Sequence, residues 1–316
     1  NQNPRANLYK KISYSIINKP DAKFIIDRIA NQYKRSKIRI ELKTAFPEDF
    51  FYGKVHHVEH HLAHMASSFY VSSYEKSIVI SVDGFGDFSS TAVGVGVGNE
   101  ISIDKKIFFP HSLGIFYNAL TQFLGFPHYG DEYKVMGLAP YGTNKYIGEL
   151  REILKTQVDG SFELNLEFFQ HHENKLDYTW SGGVPILGTL FKTENLEKLL
   201  GFSVRKKSDS LQQHHFDLAH SIQAMYEKAF FNILNASYEK YNIEQLALAG
   251  GCAMNSVANG KIYRNTPFKQ VYVQPAAGDA GGAIGAAFQV ANELNDIKER
   301  FIMDHAYWGP SFSNQY

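Results

Sequence analysis

Two short apolar runs near the C-terminal end of the sequence each stop at a glycine turn and pass directly into a helical pattern. QLALAGG leads into CAMNSVANGKIYRN, and KQVYVQP leads into GDAGGAIGAAFQVANEL. Repeated strand, glycine turn and helix is the grammar of a nucleotide-binding α/β sheet, whose ligands gather at the carboxyl ends of the strands. This order constrains the chain more than anything else in it.

The preceding region agrees. SIVISVDG reads as a buried strand rich in β-branched residues, FGDFSS as a tight turn, and TAVGVGVG and ISIDKKIFF as the second and third strands of a meander. Such a meander resembles the unit that opens each half of the actin, heat-shock chaperone and sugar-kinase superfold. VHHVEHHLAHMASSFYVSS has helical spacing, with Leu62, Ala66 and Phe69 on one stripe. Residues 209–240 read as one long helix, because Leu211, Leu218, Ile222, Met225, Ala229 and Ile233 keep to one face. SLGIFYNALTQFLGFPHYGDEYKVMGLAPYG gives two helices around an acid- and glycine-bearing loop. Residues 1–54 read as mixed helix and loop, with a helix expected near 21–35. Residues 159–183 read as an irregular surface excursion.

Composition removes several function classes. Thirty-two Lys+Arg balance thirty-two Asp+Glu, so the formal charge is zero, which argues against general binding to nucleic acid or to anionic membranes. A single cysteine excludes an internal disulfide framework and a multi-cysteine zinc site. No run of about 18 apolar residues is present to span a membrane, and a cytoplasmic protein is expected.

Four groups of residues could carry chemistry. His56, His57, His60, His61 and His64 crowd one segment, and the pairs 56/60, 57/61 and 60/64 all have the i, i+4 spacing that puts two imidazoles on one helical face. Spacing does not choose among them, and a solvated histidine-rich helix fits equally well. Asp83 follows SIVISV and precedes Gly84, at a sheet's carboxyl edge or in a plain Asp-Gly turn. Asp279 opens a glycine-rich helix as a cap, a ligand or both. AGGCAMN places glycines where backbone N–H groups can approach an anion, without the pattern of a P-loop. Cys252, inside that turn, has no histidine near it in sequence and reads as a packed thiol rather than a nucleophile.

Taken together, VEHHLAHMASSFYVSSYEKSIVISVDGFGDFSS, SLGIFYNALTQFLGF with GDEYKVMGLAPYG, and LALAGGCAMNSVANGKI with VQPAAGDAGGAIGAA resemble the O-carbamoyltransferases acting on nodulation factors, cephem antibiotics and aminoglycosides. The resemblance covers residues 55–150 and 209–315 and is more distant from the tRNA threonylcarbamoyl-transfer proteins. It implies an α/β chain of the duplicated actin-like, sugar-kinase-like (ASKHA) fold. It selects His60 and His64 from the histidine run and joins them with Asp83 and Asp279, drawn from opposite halves of the fold, around one metal. Two imidazoles and two carboxylates suit Fe, Mn or Zn, with Mg accompanying nucleotide.

The same resemblance implies carbamoyladenylate, made from carbamoyl phosphate and ATP, as the carbamoyl donor to a hydroxylated small-molecule acceptor. It implies Glu132, Lys134, Gly137, Gly250, Gly251 and Asn255 as nucleotide-binding residues, while no catalytic acid or base is assigned. A helix-start ion pair would equally explain Glu132 and Lys134. The opening strands with their HDSAA-like loop and the C-terminal adenylate-forming domain have no counterpart in the sequence. Residues 1–54 are therefore expected to be a remnant of the first half. Residues 55–315 are expected to form the transferase core, with a variable insertion at 160–210, in what reads as part of a longer protein. A homodimer is compatible with this reading. The competing readings are a tRNA threonylcarbamoyl-transfer protein and a non-catalytic ATP-binding scaffold.

Overall fold

The computed structural model describes residues 3, 5–18, 37–48, 52–173, 178–181, 183–294 and 299–313. The helix expected at 21–35 lies outside them. Among the described residues, the helices α1 (Leu8–Asn18) and α2 (Ile38–Ala45) precede α3 (His60–Phe69). The meander follows as β1 (Lys76–Gly86), β2 (Ser89–Val97) and β3 (Glu100–Phe108). Three helices come next, α4 (Leu113–Phe123), α5 (Glu132–Leu138) and α6 (Ile147–Ile153). Two small hairpins pair β4 (Leu154–Thr156) with β5 (Phe162–Leu164), and β6 (Tyr178–Ser181) with β7 (Val184–Leu187). After α7 (Thr193–Leu200) and the long α8 (Gln213–Tyr241) come β8 (Gln245–Ala249), α9 (Ser256–Asn259), α10 (Ile262–Asn265), β9 (Gln270–Val273) and α11 (Asp279–Glu293).

Five strands make one mixed sheet in the order β3-β2-β1-β8-β9. The meander pairs are antiparallel, whereas β8 lies parallel to both β1 and β9. One expectation is corrected: the meander and the two C-terminal strands do not belong to separate halves. Strands assigned to separate halves lie side by side, Ile78 opposite Leu246 and Ile80 opposite Leu248, and no second five-stranded sheet occurs among the described residues. Hydrophobic pattern marks a strand but does not name its neighbour, and here the neighbours are far apart in sequence.

The alternation of side chains along a strand sorts the core into two layers. Val79 of β1 and Ala247 of β8 face Met65, Ala66 and Phe69 of α3. Ile78, Ile80 and Val82 of β1, with Leu246 and Leu248 of β8, face α4 and α8 through Phe116, Leu120, Ile222 and Tyr226. Burial on both faces is why these strands read as continuous apolar runs. The expected surface excursion at 159–183 is also corrected. Phe162, Leu164, Phe168 and Phe169 are buried and join the larger core, each of these side chains contributing roughly 1.5–3 kcal/mol by removal from water.

Candidate metal centre

His60 and His64 come one turn apart on α3, and the helix starts only at His60, so His56 and His57 lie before it and are exposed. The first turn is fastened by carboxylates: Leu62 N–H donates to Glu59 Oε2 (2.8 Å) and His60 N–H to Asp87 Oδ2 (3.0 Å). His61 faces away, its Nδ1 2.9 Å from Ser81 Oγ. Burial, with the neighbouring His60 adding to it against Glu59, lowers the His61 imidazole to about 4. Only one of the three i, i+4 registers is therefore built.

Asp83 is not in a turn. It lies within β1, where regular pairing with β2 ends at Val82–Thr91 and resumes at Gly86–Ser89, and a bulge of this kind re-aims side chains beside a sheet's edge. Parallel pairing with β8 has already ended at Ser81–Ala249, so the Asp83 carboxylate projects beyond β8 beside the glycine turn. There Gly251 N–H donates to Asp83 Oδ1 (2.9 Å). Gly250 has φ +94°, and a Cβ on it would meet Val82 O at 2.2 Å, so the turn needs glycine. Asp279 is the first residue of α11, with Gly278 as the cap residue and no capping bond from a side chain. Its carboxylate reaches the histidines instead.

Around Asp83 Oδ2 and Asp279 Oδ1 the distances are short. His60 Nε2 is 2.9 Å from the first and 3.6 Å from the second, and His64 Nε2 is 3.5 Å from each. The two Nε2 atoms are 3.1 Å apart. Four donors bound tetrahedrally at about 2.1 Å would be separated by about 3.4 Å, close to every one of these distances. His60 and His64 are buried, Asp83 is partly buried and Asp279 is exposed, so the cluster is open on one side. Asp83 lies in β1 and Asp279 opens the helix that follows β9 of the same sheet, which corrects their expected origin in opposite halves.

The imidazoles and carboxylates shift one another's protonation. Burial opposes charging His64, but its hydrogen bonds to Asp279 and Asp83 outweigh burial and raise it to about 9. Burial likewise opposes ionising Asp83, yet its bonds to His60 and His64 hold it well below the usual carboxylate range. Asp279 is lowered chiefly by its bond to His64. Two anionic oxygens and two imidazoles so placed fit a divalent ion of borderline hardness.

The residues expected around a nucleotide have partners of their own. Gly250 and Gly251 both direct their N–H groups inward, to Ala277 O (2.8 Å) and Asp83 Oδ1, so this turn shapes the acid rather than offering those two donors outward. Asn255 is buried; its Oδ1 caps α9 at Ala258 N–H (3.0 Å) and its amide pairs with Gln223. Glu132 accepts from the Asn118 amide, and Lys134 pairs with Asp131 rather than with Glu132. Gly137 is exposed, with nothing within 4 Å of where a Cβ would stand. Burial, with the charges of Asp83 and Glu132, pushes the Cys252 thiol well up, which agrees with a packed thiol. Sequence reasoning missed Tyr117 and Gln223, whose hydrogen bond (2.8 Å) braces Asn255 from below. Their helical periodicity marks them only as core.

Fold and cluster together define a mixed α/β protein with an acid–imidazole cluster at the carboxyl ends of its central strands. The chain belongs to the carbamoyltransferase N-terminus family, which it matches over residues 2–288, including the 160–210 segment and most of residues 1–54. It is 38% identical over 262 residues to the uncharacterized protein sll1178 of Synechocystis, across 81% of this chain and 40% of that one. It is 35% identical over 263 residues to the nodulation protein NolNO of Sinorhizobium fredii, across 83% of this chain and 35% of the relative. The chain thus spans 35–40% of the length of these relatives. The crystal structure of HypF from T. kodakarensis aligns over 83% of this chain and 39% of that one, with 18% identity and a TM-score of 0.40.

Proposed function

We propose that this chain is the metal- and nucleotide-binding part of an O-carbamoyltransferase. It would act in the cytoplasm on carbamoyladenylate, formed from carbamoyl phosphate and ATP, and on a hydroxylated small-molecule acceptor. The observation that carries the reading is the convergence of His60, His64, Asp83 and Asp279 in a chain of this family. The sheet order, three antiparallel strands followed by two parallel ones with the cluster at their carboxyl ends, supports assignment to the actin-like superfold. Zero net charge favours a small acceptor over tRNA.

In the reaction, an acceptor hydroxyl oxygen bonds to the carbamoyl carbon, the bond from that carbon to the phosphate oxygen breaks, AMP leaves with the electron pair, and the hydroxyl proton passes to solvent. When bound, Fe, Mn or Zn supplies Lewis-acid charge beside the leaving phosphate. His60 and His64 offer Nε2, while Asp83 and Asp279 offer one carboxylate oxygen each. Gly251 fixes the Asp83 carboxylate by holding its other oxygen, which keeps the cluster preorganised where negative charge develops. The N-terminus of α11, carrying Asp279, directs its dipole to the same place and favours an anionic ligand. Glu132, Lys134, Gly137, Gly250, Gly251 and Asn255 would bind the nucleotide in this reading.

The test is an assay of the full-length gene product with carbamoyl phosphate, ATP and a panel of hydroxylated acceptors. Asp83→Asn should reduce acceptor carbamoylation by at least roughly a hundredfold, the scale of losing a main electrostatic group. It should leave carbamoyladenylate formation nearly unchanged. Loss of adenylate formation with transfer intact would reverse the proposed division of labour. If neither step responds, Asp83 is structural only.

A further inference from the structure

The turn between β1 and β2 touches the candidate metal centre from a side that no ligand occupies. At its start, a Cβ on Gly86 would fall 1.9 Å from His60 Cδ2 and 2.0 Å from Cγ, so the imidazole lies flat against bare backbone. The next two residues, Asp87 (φ +47°) and Phe88 (φ +74°), are both left-handed without being glycine. Consecutive residues of this kind persist only where their surroundings hold them. Asp87 Oδ2 accepts the His60 N–H (3.0 Å), a donor at the first residue of α3 that has no partner within the helix.

The N-terminal segment holds the turn from outside. Asn3 N–H donates to the same Oδ2 atom (2.8 Å), and the Asn7 side-chain amide donates to Asp87 O (2.8 Å). The Tyr14 ring of α1 meets Phe88 and Phe109 edge-on, with centroids at 5.7 and 5.2 Å. One carboxylate oxygen thus joins the N-terminal segment to the backbone of His60.

We infer that Asp87 is a positioning residue for His60, and that Asn3, Asn7 and Tyr14 act on the metal centre through it. The inference rests on the metal reading above and adds to it a support outside the four ligands. Without Asp87, the first turn of α3 loosens and the His60 ring leaves the geometry that holds Nε2 beside Asp83. Outer partners of this kind typically change metal affinity by about 10–100-fold when removed.

The informative variants keep the turn's backbone. Asp87→Gly tolerates the left-handed φ and removes the acceptor, whereas Asp87→Asn keeps an oxygen in place. Asn7→Gly does the same for the outer bond, since Asn7 is itself left-handed at φ +56°. Mn²⁺ affinity by calorimetry, thermal unfolding without metal, and hydrogen exchange at the His60 amide would be measured on the full chain. Asp87→Gly should weaken Mn²⁺ binding about tenfold or more and speed His60 exchange about tenfold, with the unfolding midpoint little changed. Asp87→Asn should restore most of both. Asn7→Gly should show a smaller loss that vanishes in the Asp87→Gly background. Wild-type affinity and exchange in Asp87→Gly would overturn the inference. Fast exchange in that variant, in a wild-type protein that binds no Mn²⁺, would support the positioning role of Asp87 and sink the metal reading alone.

Discussion

His215 closes the first turn of α8, where its Nδ1 accepts the Gln212 N–H (2.9 Å) while the Gln212 side chain caps in return. Burial, with repulsion from His214 and Arg205, lowers it to about 4. A histidine lowered on folding stabilises fully above its ordinary value of 6.5, and that stability is lost as pH falls from there toward 4. Between pH 7 and 5 the wild type should therefore lose on the order of 1 kcal/mol more than His215→Gln, allowing for solvent screening, because Gln retains the capping geometry. Urea midpoints at the two pH values check this; equal slopes would mean His215 does not titrate in this window. At the metal centre, the residue types were legible in the spacing, but spacing did not select among them and only the family resemblance named His60 and His64. Three histidine pairs shared one spacing, and what singles out His60 and His64 is where α3 begins, set by Glu59 and Asp87. Asp87 stands in a turn sequence, and nothing in FGDFSS marks its bond to a histidine backbone 27 residues away.

α3 and α11 meet through glycine, and their approach brings Asp279 to the histidines. A Cβ on Gly285 would fall 1.8 Å from Ala63 O and 2.6 Å from Ser67 N, both backbone atoms that cannot swing aside. Gly285→Ala should destabilise the protein by about 1–3 kcal/mol, as overpacking does, and should also weaken metal binding by displacing α11. Gly148→Ala is the contrast: nothing lies within 4 Å there, and alanine should be neutral or slightly stabilising in α6. Thermal melts and metal titrations of both variants distinguish a specific contact from a general intolerance of alanine. The strands of the sheet and the long α8 were legible because their periodicities are strong. The segment at 159–183 was misread because its polar residues hide the spacing of Phe162, Leu164, Phe168 and Phe169, which are buried by joining the larger core.

At the scale of the whole molecule, the parallel pairing of β1 with β8 ties together parts of the chain separated by more than 150 residues. A single cut at the exposed β6–β7 turn, near Gly183, should leave two fragments that still elute together in native buffer and separate only on denaturation. Fragments that part without denaturant would contradict a sheet shared between them. This pairing was the least legible feature, since local patterns carry no record of which distant strand lies alongside. It is also what brings Asp83, from β1, to the glycine turn after β8 and to Asp279 after β9. The central claim is that these elements are arranged to hold one divalent ion, and anomalous diffraction from crystals grown with Mn²⁺ or Zn²⁺ tests it most directly. One ion should appear, bound at about 2.0–2.2 Å by His60 Nε2, His64 Nε2 and one oxygen each of Asp83 and Asp279. A cluster left without anomalous signal at saturating metal, or an ion held elsewhere while His60 and His64 keep their contacts to the acids, would contradict it.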